Sequence, residues 1–306
     1  MATKKQYDYV TSEIIKALES NKVPWQQPWK NPANLSAHHN GFDGRVYSGA
    51  NPFTLWAVAS RKGFQSNVWL TYKQAKKLGG YVADKGAAPV YFWKILERQE
   101  KDPDTNELVT RKIPIINIYQ VFNLEQTKDV KLPKRETVKP KRTKKFNPIK
   151  EAQAIIDNFL ARDNAPSYDH NGGGSAFYRP TAHAVSLPKQ ELFITPAEYY
   201  STSYHELGHA TGHSSMLNRF DNETKLAPFG SEDYSKEELI AEFTSAFLCH
   251  QAGIDSTRKN SAAYIKNWLK VLKNDPKLAL TAAGKAQTAS NIILKAPTEA
   301  VEASVE

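Results

Sequence analysis

Two histidines and a glutamate stand together in the second half of the chain, at a spacing that suits metal binding. They are His205, Glu206 and His209, in the order His-Glu-Leu-Gly-His. Residues four apart share one face of a helix, so both imidazoles can present a ring nitrogen to one ion. Glu206 lies beside them and can act as a general base toward water. The pattern predicts a zinc peptidase site of the HExxH type; the alternative is a pair of structural histidines on a helix.

The residues around this motif predict the helix that positions it. Thr195 is a good N-cap, Pro196 fits the first helical position, Glu198 completes a capping box, and Gly212 can end the helix. An apolar stripe on the same helix would face the core: Tyr200, Tyr204 and Leu207.

The third metal ligand is predicted from a carboxylate further along the chain. A catalytic zinc normally takes three protein ligands and leaves one position for water. Ser215 stands where the metzincin pattern would place a third histidine, so we choose Glu238, with Glu242 one turn later orienting a ligand histidine. Two alternatives stay open: Ser235 and Glu238 also have the spacing of a capping box, and Glu242 could be an exposed helix charge. Tyr234, one turn before Glu238, is a candidate for oxyanion stabilisation.

The bulk composition is that of a soluble globular protein. Of the 306 residues, 40% are hydrophobic and 24% charged. No run of about 18 apolar residues could form a transmembrane helix, and the N-terminus lacks an apolar signal core. We therefore expect a cytoplasmic protein with no membrane partner. The single cysteine, Cys249, excludes an intramolecular disulfide and a thiolate metal cluster.

Positive charge is concentrated in the first half of the chain. Residues 1–150 contain 27 Lys and Arg against 13 Asp and Glu, whereas the remainder contains 14 against 19. Five of the six tryptophans lie in the same half, with lysines and arginines between them. Cations that follow phosphates and aromatic rings that stack on bases are the combination that binds single strands of any sequence. The alternatives are a solvated lysine-rich surface and, for each tryptophan, a place in the core.

The order of elements predicts an α+β protein of two domains. Residues 5–126 mix helix and strand, whereas residues 149–295 are mainly helical with a small sheet. Between them, residues 127–148 are rich in charge and proline, which predicts an exposed basic linker. Residues 296–306 are expected to form a disordered tail.

The individual elements follow from hydrophobic periodicity and turn residues. Helices are predicted at 7–20, 52–61, 72–78 and 149–162. Strands are predicted at 88–96, 113–122 and 183–187.

Separated motifs in both halves resemble the ArdC-type antirestriction proteins. In the second half these are Tyr199-Tyr200, the run 205–213, Phe229-Gly230 and the run 237–242. In the first half they are the runs 23–29, 47–51, 69–75, 79–82, 85–86 and 121–126. A related module occurs in plasmid TraC-type primases.

The resemblance implies that the first domain binds single-stranded DNA and that the second is a zincin-like, gluzincin-type peptidase domain holding one Zn²⁺ by two His and one Glu. It implies that the strand at 183–187 is an edge strand along which a peptide could lie by strand addition. It also implies carriage on plasmids, phages or other mobile elements, and protection of incoming DNA from host defence, restriction in particular. The residues expected to contact DNA are Trp25, Trp29, Tyr47, Asn51, Trp69, Tyr72, Lys73, Gln74 and Lys85.

Three functions are carried forward from the sequence. An enzyme recruited to DNA would cleave an unknown protein there, and the intact Glu206 favours this function because a structural metal site needs no general base. A protein that coats single strands would carry a structural or vestigial zinc site. A priming accessory of the TraC kind is the third, but Gly172–Gly174 lacks the Lys-Ser/Thr that would follow in a phosphate-binding loop.

Overall fold

The computed structural model describes residues 4–25, 37–101, 107–133, 148–171, 173–220, 232–254 and 262–294. Within these residues there are eight α-helices: α1 (Lys4–Glu19), α2 (Asn51–Lys62), α3 (Tyr72–Lys77), α4 (Pro148–Leu160), α5 (Pro196–Ala210), α6 (Glu232–Ala252), α7 (Ala262–Asn274) and α8 (Leu278–Leu294). The same residues contain nine strands: β1 (His39–Asn40), β2 (Val68–Thr71), β3 (Tyr81–Val82), β4 (Ala88–Lys101), β5 (Leu108–Asn123), β6 (Thr127–Lys128), β7 (Ser167–His170), β8 (Phe177–Arg179) and β9 (Ala184–Leu187). This mixture confirms the α+β prediction.

A long hairpin dominates the N-terminal sheet, whose strand order is β1-β2-β5-β4. β4 and β5 pair antiparallel from Ala88 opposite Val121 to Lys101 opposite Leu108. Both strands run further toward the hairpin tip than predicted, because cross-strand pairing continues where the side chains are exposed to solvent.

The predicted linker begins inside a second, small sheet. The first two residues of the predicted linker form β6, which pairs with β3. A side chain at Gly80 would collide with the backbone of this segment, since an added Cβ would overlap the carbonyl oxygen of Lys128. Residues 134–147 of the predicted linker, and the predicted tail, lie outside the described residues.

The C-terminal domain packs α4, α5, α6 and α8 beside a three-stranded sheet of order β7-β9-β8. The predicted strand at 183–187 is β9, and it is the central strand rather than an edge strand. β7 pairs with it in parallel, and β8 pairs with it antiparallel. The edge-strand prediction was wrong because β7 and β8 are too short to show a periodic pattern in the sequence.

The two domains share a hydrophobic core. Trp25, which follows α1, lies edge-on to Phe243 of α6 at 4.7 Å between ring centroids and to Trp268 of α7 at 5.3 Å. Phe53 of α2 contacts the same Phe243 ring at 4.5 Å. Each domain also has a buried cluster of its own. Helices α6 and α7 of the second domain are therefore packed against side chains of the first domain.

No helix among the described residues is long and apolar enough to cross a membrane.

Candidate functional site

Helix α5 begins at the predicted N-cap, with the Thr195 half of the predicted capping box, and places the HExxH motif in the interior. The Oγ1 of Thr195 accepts a hydrogen bond from the Glu198 N–H at 3.2 Å, and Pro196 occupies the first turn. The apolar stripe is buried against α4, β9 and α8. On the opposite side of this anchored helix His205, Glu206 and His209 are all buried as well.

The two histidines and Glu238 converge on one point. The Nε2 atoms of His205 and His209 are 3.1 Å apart. Each Nε2 lies 3.4 Å from a different oxygen of the Glu238 carboxylate. One ligand atom from each residue falls within 4.8 Å of the others. The structure thus brings together the three residues that were predicted as metal ligands.

The capping alternative for Glu238 is wrong. Helix α6 begins at Glu232, so Ser235 lies inside the helix and not at its N-cap. Glu238 is buried and faces the histidines of α5.

A glycine lets the two helices approach closely enough for this convergence. A Cβ added to Gly208 would lie 3.2 Å from the Ala241 Cα and 3.2 Å from the Thr244 Cβ of α6. Any side chain at position 208 would therefore push the helices apart, and Glu238 with them.

Each histidine has a second carboxylate beside its outer nitrogen, the Nδ1 that faces away from the Glu238 carboxylate. Glu242 Oε1 is 3.2 Å from His205 Nδ1, which is the neighbour that was predicted for a ligand histidine. Glu237 Oε1 is 3.4 Å from His209 Nδ1, and this pairing was not predicted. The only sequence signal for Glu237 was the doubled glutamate at 237–238. Such carboxylates orient an imidazole and make it a better metal ligand.

Arg219 is a further component that the sequence analysis missed. It donates two hydrogen bonds to Glu237 and one each to the Thr211 hydroxyl and the Gly208 carbonyl. It therefore ties the end of α5 to α6. Arg219 lies in the loop after α5, where no local pattern marks an arginine as buried.

The charges of this cluster stabilise one another. Burial alone would lower the pKa of His209, but the facing carboxylates of Glu237 and Glu238 raise it to about 10. Burial likewise opposes ionisation of Glu237, yet the pKa of its carboxyl is lowered by His209 and Arg219. The pKa of Glu238 is also held low, against its burial, by the two histidines.

Two other residues of the second domain are placed as follows. Tyr234 is half-buried on α6, one turn before Glu238, and its part in oxyanion stabilisation stays a prediction. Cys249 is buried in the core, with its Sγ 3.9 Å from the Ser245 hydroxyl.

Four of the residues expected to contact DNA are buried. Trp25 and Trp69 are 2% and 0% exposed, so their rings have no free face for a base. Asn51 exchanges two hydrogen bonds with the backbone of Tyr91 and fixes α2 to β4, and Tyr47 packs in the same domain's core. We correct the prediction for these four: their aromatic and amide groups build the fold, and the alternative of core tryptophans holds for Trp25 and Trp69.

The remaining residues of that set lie elsewhere. Gln74 is half-buried in the capping box of α3 with Thr71. Tyr72, Lys73 and Lys85 are exposed. Trp29 lies outside the described residues.

Exposed aromatic and basic side chains do occur on and beside α3. Tyr72 is 58% exposed and Tyr81 of β3 is 51% exposed. The Lys77 ammonium lies 5.8 Å from the ring centroid of Phe42, which is also exposed. We call this set the α3 surface: Phe42, Tyr72, Lys73, Lys77 and Tyr81. Phe42 and Tyr81 were not predicted, because nothing in their local sequence distinguishes an exposed ring from a core ring.

Family models match both parts of the chain. Residues 4–122 match the N-terminal domain of the anti-restriction factor ArdC, and residues 154–285 match a zincin-like metallopeptidase family. Among solved structures, the fold is similar to the metal-free crystal structure of the antirestriction ArdC protein from plasmid R388, with 31% identity and a TM-score of 0.70 over 95% of this chain and 97% of that one. The Mn(II)-bound structure of the same protein gives 30% identity and a TM-score of 0.72 over 96% and 98%.

Three curated relatives are similar over nearly the whole chain. Two proteins of Escherichia coli named DNA primase TraC are each 34% identical over 96% and 94% of this chain. The chain spans only 20% and 27% of their lengths. An uncharacterized protein of Sinorhizobium fredii, y4eC, is 32% identical over 92% of this chain and 89% of its own length.

Proposed function

The chain belongs to the ArdC family of antirestriction proteins, and on this premise we propose that it protects incoming DNA of a mobile element by binding single strands and hydrolysing a protein at a zinc centre. The observation that carries the proposal is the convergence of His205 Nε2, His209 Nε2 and the Glu238 carboxylate. We propose domain boundaries at 5–126 and 149–295; the two family models match residues 4–122 and 154–285.

The donor set fits a divalent metal ion. Two imidazoles and one carboxylate are a common protein ligand set for catalytic zinc. The ligand atoms are buried, and a carboxylate stands beside each outer nitrogen, as metal-bound histidines require. A bound ion would supply Lewis-acid polarisation of a peptide carbonyl. One crystal structure of the R388 ArdC protein contains Mn(II); metal analysis of the purified protein distinguishes the proposed Zn²⁺ from Mn²⁺.

The general base in this proposal is Glu206. Its carboxylate is buried on α5 directly after a ligand histidine. It would take a proton from the attacking water and deliver it to the amine that leaves when the peptide bond breaks. Tyr234 would donate a hydrogen bond to the carbonyl oxygen as that oxygen gains charge.

The substrate strand would lie along β8. β8 is an edge strand of the sheet that packs on α5. It takes the peptide-pairing role that was predicted for β9. Its Phe177 and Arg179 side chains are exposed, while Tyr178 points into the core. A peptide pairing with β8 would therefore meet one apolar and one positively charged side chain.

Single-stranded DNA would bind at the α3 surface. Its lysines would follow phosphates, and its exposed rings would stack on bases. This surface replaces the buried tryptophans as the site of contact.

A second candidate is a protein that handles single strands without peptide hydrolysis. The two TraC primases favour it, because they contain a region 34% identical to nearly this entire chain within much longer proteins. In that case the shared region would bind DNA, and its metal site would be structural and not catalytic.

The deciding experiment compares the wild type with Glu206→Gln for plasmid transfer into restricting cells, with metal content measured on both purified proteins. Glu198→Gln, in the first turn of the same helix, is the matched control. We expect Glu206→Gln to keep its metal and lose protection, while Glu198→Gln keeps both. If Glu206→Gln keeps both, peptide hydrolysis is not the protective activity and the second candidate stands.

A further inference from the structure

The outer part of the β4–β5 hairpin extends beyond the other strands of the N-terminal sheet as a two-stranded ribbon. β4 is an edge strand of that sheet, and β2 pairs with β5 at residues 121–123, at the far end of the hairpin from its tip. From residue 94 to residue 101 the side chains of β4 are exposed, apart from Glu100, which is half-buried. Among the described residues, no strand lies beside the outer edge of β4.

Apolar side chains on this ribbon face solvent. Ile95 is 57% exposed, Leu96 is 46% exposed and Leu108 is 70% exposed. A long exposed edge strand with such side chains readily pairs with a strand of another chain, unless the charges along it oppose the pairing. The order of the charges on β4 therefore decides whether its edge is protected or is open to a partner.

Two cations of β4 lack a carboxylate partner. Arg98 lies directly opposite Arg111, and like charges at opposite positions destabilise a strand pair. Arg111 forms an ion pair with Glu100, whereas Arg98 forms none within the described part of the chain. Lys101 lies opposite Leu108 and likewise has no ion pair among the described residues. Both cations are thus available to carboxylates of another chain.

The charges of β4 are complementary to themselves about Gln99. When two copies of a strand pair antiparallel about a two-fold axis, residues at equal distances on either side of the axis meet. With Gln99 on the axis, Glu97 would lie opposite Lys101 of the partner subunit, and Arg98 would lie opposite Glu100 of the partner subunit. Opposite residues share one face of the sheet, with Cβ atoms about 4.5–5.5 Å apart. Both unpaired cations would gain a carboxylate in this arrangement.

No other axis within residues 94–101 gives this complementarity. An axis at a charged residue would place that residue opposite its own copy, which applies to Lys94, Glu97, Arg98, Glu100 and Lys101. An axis at Leu96 would place Lys94 opposite Arg98, and an axis at Ile95 would bring no two charged residues together. An axis between two residues would not align the N–H and C=O groups of the two strands.

We propose that this protein forms a homodimer in which the β4 edges of two copies pair antiparallel about Gln99, so that the two hairpins build one four-stranded sheet. Main-chain hydrogen bonds between the edges supply the attraction, as in other cases of strand addition. The ion pairs fix the register and disfavour the alternatives. This inference rests neither on the metal site nor on DNA binding.

Sedimentation equilibrium of the full chain measures the association. We expect the average mass to rise toward twice the 34.4 kDa of one chain over a concentration range of about 1–100 µM. A mass of one chain over the whole range overturns the proposal.

Charge reversal tests the register. Glu97→Lys would face Lys101 of the partner subunit and should weaken dimerisation about tenfold or more. Adding Lys101→Glu makes the charges opposite again, with their signs exchanged, and should restore the dimer. Lys112→Glu is the matched control, because it also removes the ion pair between Glu97 and Lys112 of one hairpin but leaves the β4 edge unchanged.

Circular dichroism of each variant checks the fold. The proposal is overturned if Lys112→Glu weakens the dimer as much as Glu97→Lys does, or if the double variant stays as weak as Glu97→Lys.

A cysteine at position 99 tests the axis directly. A residue that meets its own copy across a two-fold axis can form a disulfide with it, and the natural Cys249 is buried. Thr110→Cys is the control, since Thr110 lies opposite Gln99 on β5, is also exposed, and is one strand away from the proposed interface. Under mild oxidation we expect a covalent dimer from Gln99→Cys and a monomer from Thr110→Cys on a denaturing gel. Equal cross-linking of the two variants, or no cross-linking of Gln99→Cys, overturns the proposed pairing.

Discussion

Arg219 holds the Glu237 carboxylate by two hydrogen bonds from one edge of its guanidinium. Nη2 donates to Glu237 Oε1 at 2.7 Å, and Nε donates to Oε2 at 3.2 Å. Glu237 in turn lies 3.4 Å from the outer nitrogen of His209. A loop residue after α5 thereby sets the position of a ligand imidazole through a carboxylate on α6.

Replacing Arg219 by Lys should weaken metal binding about 10- to 100-fold, because an ammonium cannot form the two parallel hydrogen bonds that hold Glu237. Competition with a chromophoric chelator measures this affinity. Arg179→Lys, on exposed β8, is the control and should bind metal like the wild type. Equal metal affinities of the two variants would show that the Arg219–Glu237 hydrogen bonds do not affect the metal site.

Gly208→Ala should destabilise the protein by about 1–3 kcal/mol, since its Cβ has no room between α5 and α6. Metal affinity should fall with it, because the helices that carry His205 and Glu238 are forced apart. The control is Gly284→Ala on α8, where an added Cβ meets nothing within 4 Å. That substitution should stabilise by about 0.5–1 kcal/mol. Urea denaturation of both variants gives the comparison, and a stabilised Gly208→Ala would contradict the close approach.

Phe243→Ala should destabilise both domains together. The ring touches Trp25 and Phe53 of the first domain, so its loss leaves a hole in the shared core that costs about 3–5 kcal/mol. Native-state hydrogen exchange should show reduced protection in β2 and β5 as well as in α5 and α6. Loss of protection confined to the second domain would mean that the two domains unfold independently.

The metal-free protein should lose stability as pH rises from about 6.5 to 10. The folded pKa of His209 is raised to about 10 by Glu237 and Glu238, against the effect of burial. It thus exceeds the unfolded value of about 6.5. Protonated His209 therefore stabilises the folded state fully at pH values below its unfolded pKa. This stabilisation is lost as pH rises through its folded pKa. Urea denaturation across this range checks it, and Glu237→Gln should flatten the slope because it removes one of the two carboxylates.

Tyr72→Ala and Lys73→Ala should each weaken single-stranded DNA binding. A lost stacking contact costs about 1–3 kcal/mol, and a lost phosphate contact lowers the salt dependence by about one ion. Phe177→Ala and Lys270→Ala, at exposed positions of the second domain, are matched controls. Fluorescence anisotropy over a range of salt concentrations measures both effects. If the control variants weaken DNA binding as much as Tyr72→Ala and Lys73→Ala do, the α3 surface is not the binding site.

Local features of this chain were readable from its sequence because they depend on neighbours along the backbone. The spacing of His205 and His209 required a helix, and Thr195 and Pro196 marked where that helix begins. Glu238 and Glu242 could be chosen because one helical turn puts both on the face of α6 that meets α5. The resemblance to a known family added the identity of both domains.

Other features were decided only by the tertiary structure, since they depend on which distant segments meet. A tryptophan has the same sequence signature in a core as on a surface, so the burial of Trp25 against α6 and α7 could not be foreseen. The central place of β9 depends on two short strands that only pairing reveals. The link from Arg219 through Glu237 to His209 joins a loop to two helices, and no spacing along the chain encodes it. The sequence determined the chemistry of the site, whereas the packing of the two domains decided which charged and aromatic groups support that chemistry and which remain on the surface.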